Sequence, residues 1–188
     1  MSSTAIALCV LLGIIILGFL WIAAIYNGLV RLRNLKEEGW SGIDVQLKRR
    51  HDLVDNLVNT VKGYMTHERE VLEEVARCRS QAGGARSVAE TAKAEAGLAQ
   101  ALGRLFAVME NYPQLQAAEN VMHLQTTLTE LEDTLQMARR YYNGTVRELN
   151  TKIEIFPSNL VANLFRFAKA EFFELDNVEE AAVPRVQF

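Results

Sequence analysis

Charge is missing from the start of this chain: no Asp, Glu, Lys or Arg stands between Met1 and Val30. A solvated surface helix of that length without one charge is excluded, because nothing would hold its faces in water. Proline is scarce. Pro113, Pro157 and Pro184 are all there are, so long helical stretches run without a built-in breaker. The two cysteines, Cys9 and Cys78, lie too far apart in sequence to read as a disulfide framework or a zinc knuckle. Cys9 follows Leu8 inside an apolar run, a poor context for lipid attachment, and reads as a buried thiol. No stretch alternates apolar and polar residues long enough to read as a strand, and there are no internal repeats. An excess of basic residues is also absent. The 20 Lys and Arg against 23 Asp and Glu give a net charge of −3, which excludes a nucleic-acid footprint.

Catalytic signatures fail one by one. His67-Glu68 opens like a zinc-protease helix, but Val71 stands where the second histidine belongs. Lys48, Tyr64 and Asn120 stand three residues before His51, His67 and His123, so no Glu-x-x-His di-metal motif exists. Glu119 and His123 are only an ordinary helical pair. No phosphate loop and no nucleophile elbow occur. The expectation is a chain that is not an enzyme, with no cofactor, no metal and no small-molecule substrate.

What is present begins with the apolar run Ile6–Tyr26. A helix needs about 20 apolar residues to cross about 30 Å of hydrocarbon. Within lipid, only a helix satisfies its own backbone in one segment. The run lacks the basic start and small-residue cleavage site of a signal peptide, so it reads as a retained anchor carried by Ile6, Leu11, Ile15, Phe19, Trp21 and Tyr26. Trp21 and Tyr26 suit the headgroup level. Arg31, Arg33 and Lys36 follow it, with Lys48, Arg49 and Arg50 beyond. The positive-inside rule then puts the N-terminus outside and the remainder in the cytoplasm of a bacterial inner membrane; a periplasmic remainder is the alternative.

After the anchor, apolar residues recur at helical spacing. Trp40, Ile43, Leu47, Val54, Val58, Val61, Met65, Leu72 and Val75 predict one helix to about residue 80. Arg50 and Glu68 interrupt that stripe; each either snorkels to solvent or pairs with a charge on a facing helix. Gly83-Gly84 ends the helix, and Ser87 with Glu90 has capping-box spacing for a second helix to about Glu110. A third, from about Gln114 to Phe156, carries the cleanest stripe, through Val121, Leu124, Leu128, Leu131, Leu135, Ala138, Tyr142, Val146, Leu149 and Ile153. A short fourth helix follows Pro157. Val58, Val61, Leu128, Leu131 and Leu135 are the expected bundle core.

The fold class is therefore all-α: an N-terminal transmembrane helix continuing into an antiparallel bundle of three long helices plus a short C-terminal one. The expected division is anchor 1–30, bundle 31–175 and tail 176–188. With a first helix running to residue 80, the third helix starts level with residue 50 and climbs away from the membrane, leaving Trp40, Ile43 and Leu47 uncovered. Either the helix bends at Gly39 and Gly42 and lays them on the bilayer, or neighbouring copies cover them; the oligomer is preferred. The basic run Lys48-Arg49-Arg50-His51 lies about 30 Å from the headgroups on a straight helix, too far to be a lipid patch.

Longer motifs sharpen this. Tyr26-Asn27, Trp40-Ser41, Ile43 through Leu53, Asn56-Leu57-Val58 and Val61-Lys62-Gly63-Tyr64 resemble the LemA family. So do Glu110 to Pro113, Ala138 to Asn143, Phe156 to Asn159, Phe172-Phe173-Glu174 and the closing Pro184-x-Val186-x-Phe188. The resemblance implies a bacterial single-pass protein built on an antiparallel helical bundle, with a relative linked to organelle membranes and a gene that often neighbours a membrane metalloprotease gene. Asp55 stands where that family often has proline, which favours a straighter first helix here. Two roles follow as expectations: a self-assembling homo-oligomeric membrane scaffold, or an adaptor to another membrane protein such as a membrane protease. The partners expected are membrane lipid, a second copy of the chain and possibly that membrane protein.

Overall fold

The computed structural model describes residues 3–174, with the side chains of 5–7 and 9 outside the described set. Ile6 and Cys9 therefore contribute only their helical backbone here, and the tail 176–188 lies outside the described residues. Among the described residues six helices follow one another: α1 Ser3–Val61, α2 Arg69–Gly84, α3 Val88–Met109, α4 Pro113–Gln116, α5 Glu119–Glu154 and α6 Ser158–Leu164. Among the described residues there is no strand.

The chain divides into two compact units, and the divisions fall inside α1 and α5. One unit comprises, among the described residues, 41–140 and 171–174. In it the buried face of α1 is Ile43, Leu47, Arg50, Val54, Leu57 and Val61, a run of threes and fours in which Leu57 takes the inner place and Val58 is half-buried. Leu72, Val75 and Cys78 of α2, Leu98, Leu102 and Leu105 of α3, and Val121 and Leu128 of α5 close the core around it. Each large apolar side chain removed from water in this way contributes about 1.5–3 kcal/mol.

The long first helix stops earlier than its periodicity implies. Lys62–Glu68 form a turn, and α2 begins at Arg69. Met65 lies in that turn and is buried, so the apolar spacing passes through the break unchanged. Gly63 weakens helix there, and packing of Met65 against the core decides the path. Because the reversal comes early, α2 and α3 form an extra hairpin, and α5 returns along α1 instead of climbing away from it. Asp55 sits in uninterrupted helix and forms an ion pair with Arg79 at 2.6 Å. Helix α1 also continues through Gly39 and Gly42.

The other unit comprises Met1–Trp40 and Tyr141–Ala170. Here α1 and the end of α5 run antiparallel: Trp40 meets Tyr142 with ring centroids 5.6 Å apart, while Leu29 shares a core with Leu149 and Ile153. Gly39 permits the close approach, since a Cβ there would stand 3.2 Å from the Tyr142 Cα. Val161 and Ala162 of α6 complete the core, with Ile22, Ile25, Leu32 and Phe167 packed against it.

Local chemistry sets the helix ends. The Ser87 hydroxyl accepts from the Glu90 N–H at 3.1 Å, and the Glu90 carboxylate accepts from the Ser87 and Arg86 N–H groups at 3.2 and 3.0 Å. This is the expected capping box. At the end of α6 the Phe167 N–H donates to the Ala162 carbonyl and the Arg166 N–H to the Asn163 carbonyl, a Schellman closure. Arg166 adopts the left-handed conformation, φ 57°, where glycine is usual.

The hydrogen bonds from Arg86 and Ser87 hold the Glu90 carboxyl below its usual range. A depressed folded pKa means its contribution is complete above the unfolded carboxylate range and disappears as pH falls through the folded value. Amide exchange at the start of α3 is therefore expected to accelerate through that acid step. Glu90→Gln, which keeps the cap without titrating, should show no step when the same amides are followed by pH-resolved hydrogen exchange.

Candidate functional site

The apolar stripes of the larger unit are interrupted at matching places by charge. On α1, Arg50 and His51 follow Leu47; on α3, Glu95 stands between Ala92 and Leu98; on α5, Glu132 and Arg139 flank Leu135. Arg50, Glu95 and Arg139 are buried, Glu95 to 1% exposure. One Glu95 carboxylate oxygen accepts from His51 Nε2 at 2.7 Å, the other from Arg50 Nη1 at 3.3 Å. Arg50 reaches Glu132 at 3.0 Å, and Glu132 accepts from Arg139 at 3.1 Å. The Arg139 guanidinium lies over the Phe173 ring, 5.2 Å from its centroid. Burial pulls the Arg139 guanidinium below its usual range; Glu132 opposes that, and neighbouring Arg50 reinforces it.

Two guanidiniums therefore balance two carboxylates, and His51 fills the remaining oxygen of Glu95. A carboxylate without solvent access and with both oxygens occupied offers nothing to a substrate. Its capacity is positional: one register of α1 against α3 and α5 satisfies the charges, and a slipped register strands them at several kcal/mol each. Of the two readings open for Arg50, pairing with facing helices is what occurs. Glu68 instead accepts from the Tyr112 hydroxyl at 3.2 Å. Burial and that carboxylate push the Tyr112 hydroxyl up. The basic run splits by face: Arg50 and His51 turn inward, while exposed Lys48 pairs with Asp44 at 2.7 Å.

The remaining sequence-derived residues take these places. Leu11, Ile15, Phe19, Trp21 and Tyr26 are exposed along α1. Val61, Leu128, Leu131 and Leu135 are buried. The uncovered patch expected over Trp40, Ile43 and Leu47 is absent: Ile43 and Leu47 are buried within the single chain, and Trp40 is half-buried against Tyr142. The physical reason is the early turn at Lys62–Glu68, which brings α5 back along α1. On α5, Arg139 occupies the inward place expected for Ala138, which is only half-buried. Glu95 was missed, although a carboxylate three residues from Ala92 and three from Leu98 was a visible signal.

Glu95→Leu should destabilise the protein by about 3–5 kcal/mol, because Arg50 loses a buried counter-charge. Arg50→Met combined with Glu95→Leu should recover most of that loss, since an apolar replacement leaves no charge behind. Denaturation followed by circular dichroism reads both. A single variant costing under about 1 kcal/mol would show that the network does not hold the helices.

The chain is 26% identical over 178 residues to the magnetosome protein MamQ 2 of Paramagnetospirillum magneticum, covering 79% of this chain and 64% of that protein. It is 25% identical over 174 residues to MamQ of Magnetospirillum gryphiswaldense, with the same coverage of each chain. Protein LemA of Metamycoplasma hominis matches at 26% over 159 residues, 84% of this chain and 72% of that one. The chain thus spans 64% of the length of the MamQ relatives. The LemA family model matches residues 39–188, the whole sequence beyond the apolar span and its flank, and the chain belongs to the LemA family.

Proposed function

We propose that this chain is a non-enzymatic, membrane-anchored helical protein that self-assembles into a homo-oligomeric membrane scaffold. The observation that carries the reading is α1 itself. Its first part is apolar, exposed and long enough to cross a membrane, and the same helix continues into packed helices. An anchor that is also a structural helix holds every copy in one plane and one orientation, which raises the effective concentration of one copy for another. Exposed Val45 on α1 and Met137 on α5 offer apolar contacts to a second copy. The buried charges support a structural rather than chemical role, because they are spent on each other.

The flanking charge supports an orientation with the N-terminus outside a bacterial inner membrane and the helical body in the cytoplasm. Arg31, Arg33 and Lys36 follow the span, and Arg166 and Lys169 return beside it within the same unit.

A second reading, an adaptor to another membrane protein such as a membrane protease, is favoured by one feature. A groove of about 420 Å³ lies along Val58, Met65, Leu72 and Ala76, edged by Lys62, Arg69 and Glu73. Under that reading the chain occupies a partner's surface rather than its own copies.

Particle mass in mild detergent tests the scaffold. A uniform multi-chain species is expected, whereas a monomer as the sole species across the accessible concentration range would overturn it. Orientation is read separately, by protease added to intact spheroplasts. The helical body should survive, and cleavage beyond Arg31 from outside would reverse the topology.

A further inference from the structure

The corner between α5 and α6 exposes apolar side chains that the core of its unit does not need. Phe156 is 77% exposed, Leu164 69% and Leu160 59%, with Ile155 and Phe165 exposed beside them. Leu160 and Leu164 stand four residues apart on α6 and share one side, with Phe156 exposed in the turn just before it, while Ser158, Val161 and Ala162 are buried. An apolar patch of this kind marks a surface that meets something other than water.

Its position says what. The antiparallel register runs from Trp40 beside Tyr142 to Leu29 beside Leu149 and Ile153. Continued by a few residues, it places Phe156 level with Tyr26, the end of the apolar span. Tyr26 confirms the level by its own contacts: its ring lies 4.7 Å from Phe165 and 5.9 Å from Phe167. The core of this corner also includes Ile22 and Ile25, residues of the span itself. The outward side of α6 therefore lies where acyl chains meet headgroups, the depth taken by amphipathic interfacial helices.

Directly beside it is a cavity of about 340 Å³ lined by Tyr26, Phe165, Arg33, Lys36, Arg166 and Lys169, with Leu149 and the backbone of 168–170 behind them. The backbone wall is fixed. Asn150 clamps Ala170 from both sides, accepting from its N–H at 2.8 Å and donating to its carbonyl at 2.9 Å. Arg33 lies over the Phe167 ring at 5.7 Å. Lys169 forms an ion pair with Glu154, so four cations stand against one carboxylate. Arg166 holds its place in the left-handed conformation, which closes α6 and which glycine would adopt without strain. An arginine in a conformation that favours glycine, lining a basic pocket, points to use of its guanidinium.

We propose that this corner is a binding site for an anionic phospholipid: the cations seat its phosphate headgroup, and Phe156, Leu160 and Leu164 sink into the acyl boundary beside its chains. Guanidinium forks suit phosphate oxygens, and an apolar shelf next to a basic pocket suits a molecule with both parts. The site rests on the reading of α1 as a membrane anchor, and it works with either orientation across the bilayer.

Two measurements on the full chain test it. For depth, a nitroxide is placed by Leu160→Cys, or as reference by Ile15→Cys, in a Cys9→Ala, Cys78→Ala background in phosphatidylcholine vesicles containing phosphatidylglycerol. Both labels should relax more with oxygen than with a water-soluble nickel chelate. If position 15 is in lipid and position 160 is in water, the site is overturned while the anchor stands; if position 15 is in water, the anchor fails and the site with it. For selectivity, native mass spectrometry with equimolar phosphatidylglycerol and phosphatidylcholine should show at least about fivefold preference for the anionic lipid. Arg166→Gly should melt no lower than wild type, and combined with Lys169→Gln it should bring the preference below about twofold. Arg33→Gln, within an unbroken helix, should weaken it as well. No preference in the wild type, or full preference in these variants, would overturn the site.

Discussion

Glu95 is a charge without water, and the larger unit is arranged around that fact. A carboxylate at such depth is tolerable only with donors on both oxygens, and Arg50 and His51 of α1 supply them. Arg50 in turn needs Glu132, and Glu132 draws in Arg139. Apolar stripes alone would let helices slide by a turn with little loss, since leucine meets leucine in either register. The ion network removes that freedom, because each slip leaves a buried charge alone. The cost of desolvating the network is offset by pairing, so its main effect is on uniqueness rather than on total stability.

The smaller unit solves a different problem. Its first helix emerges from an apolar span, and the return of α5 and α6 beside residues 22–32 covers one side of it. Three devices make that return tight: Gly39 against the Tyr142 backbone, the Asn150 clamp on Ala170 and the Schellman closure after α6. The result has a buried side facing α1 and an apolar side facing away from it. Residues 141–170 pack with the first part of α1 in one unit.

The resemblance to LemA proteins, already legible in the motifs, is joined by the family match over residues 39–188. Several of those motifs acquire physical roles. Lys48 to His51 contains the inward Arg50 and His51; Ala138 to Asn143 contains Arg139 and the Tyr142 that packs on Trp40; Phe156 to Asn159 forms the α5–α6 corner. Glu95 lies outside every one of them, yet both Arg50 and His51 bond to it. Motif recognition marked both sides of the Trp40–Tyr142 contact but only the α1 side of the contact with Glu95.

What the sequence determined by itself was local or one-dimensional. The charge-free start and its length defined the span, threes and fours defined the inner face of α5, and Ser87 with Glu90 defined a helix start. These follow from backbone hydrogen bonding and helical pitch, which need only near neighbours in the chain. The tertiary structure decided the turn at Lys62–Glu68, the inward placement of Glu95 and Arg139, the covering of Ile43 and Leu47, and the outward apolar side of α6. Periodicity reports that a face is buried, not what buries it. A turn that keeps Met65 in the core leaves the spacing intact, and a buried glutamate reads as an error until the arginine that meets it is known to lie opposite.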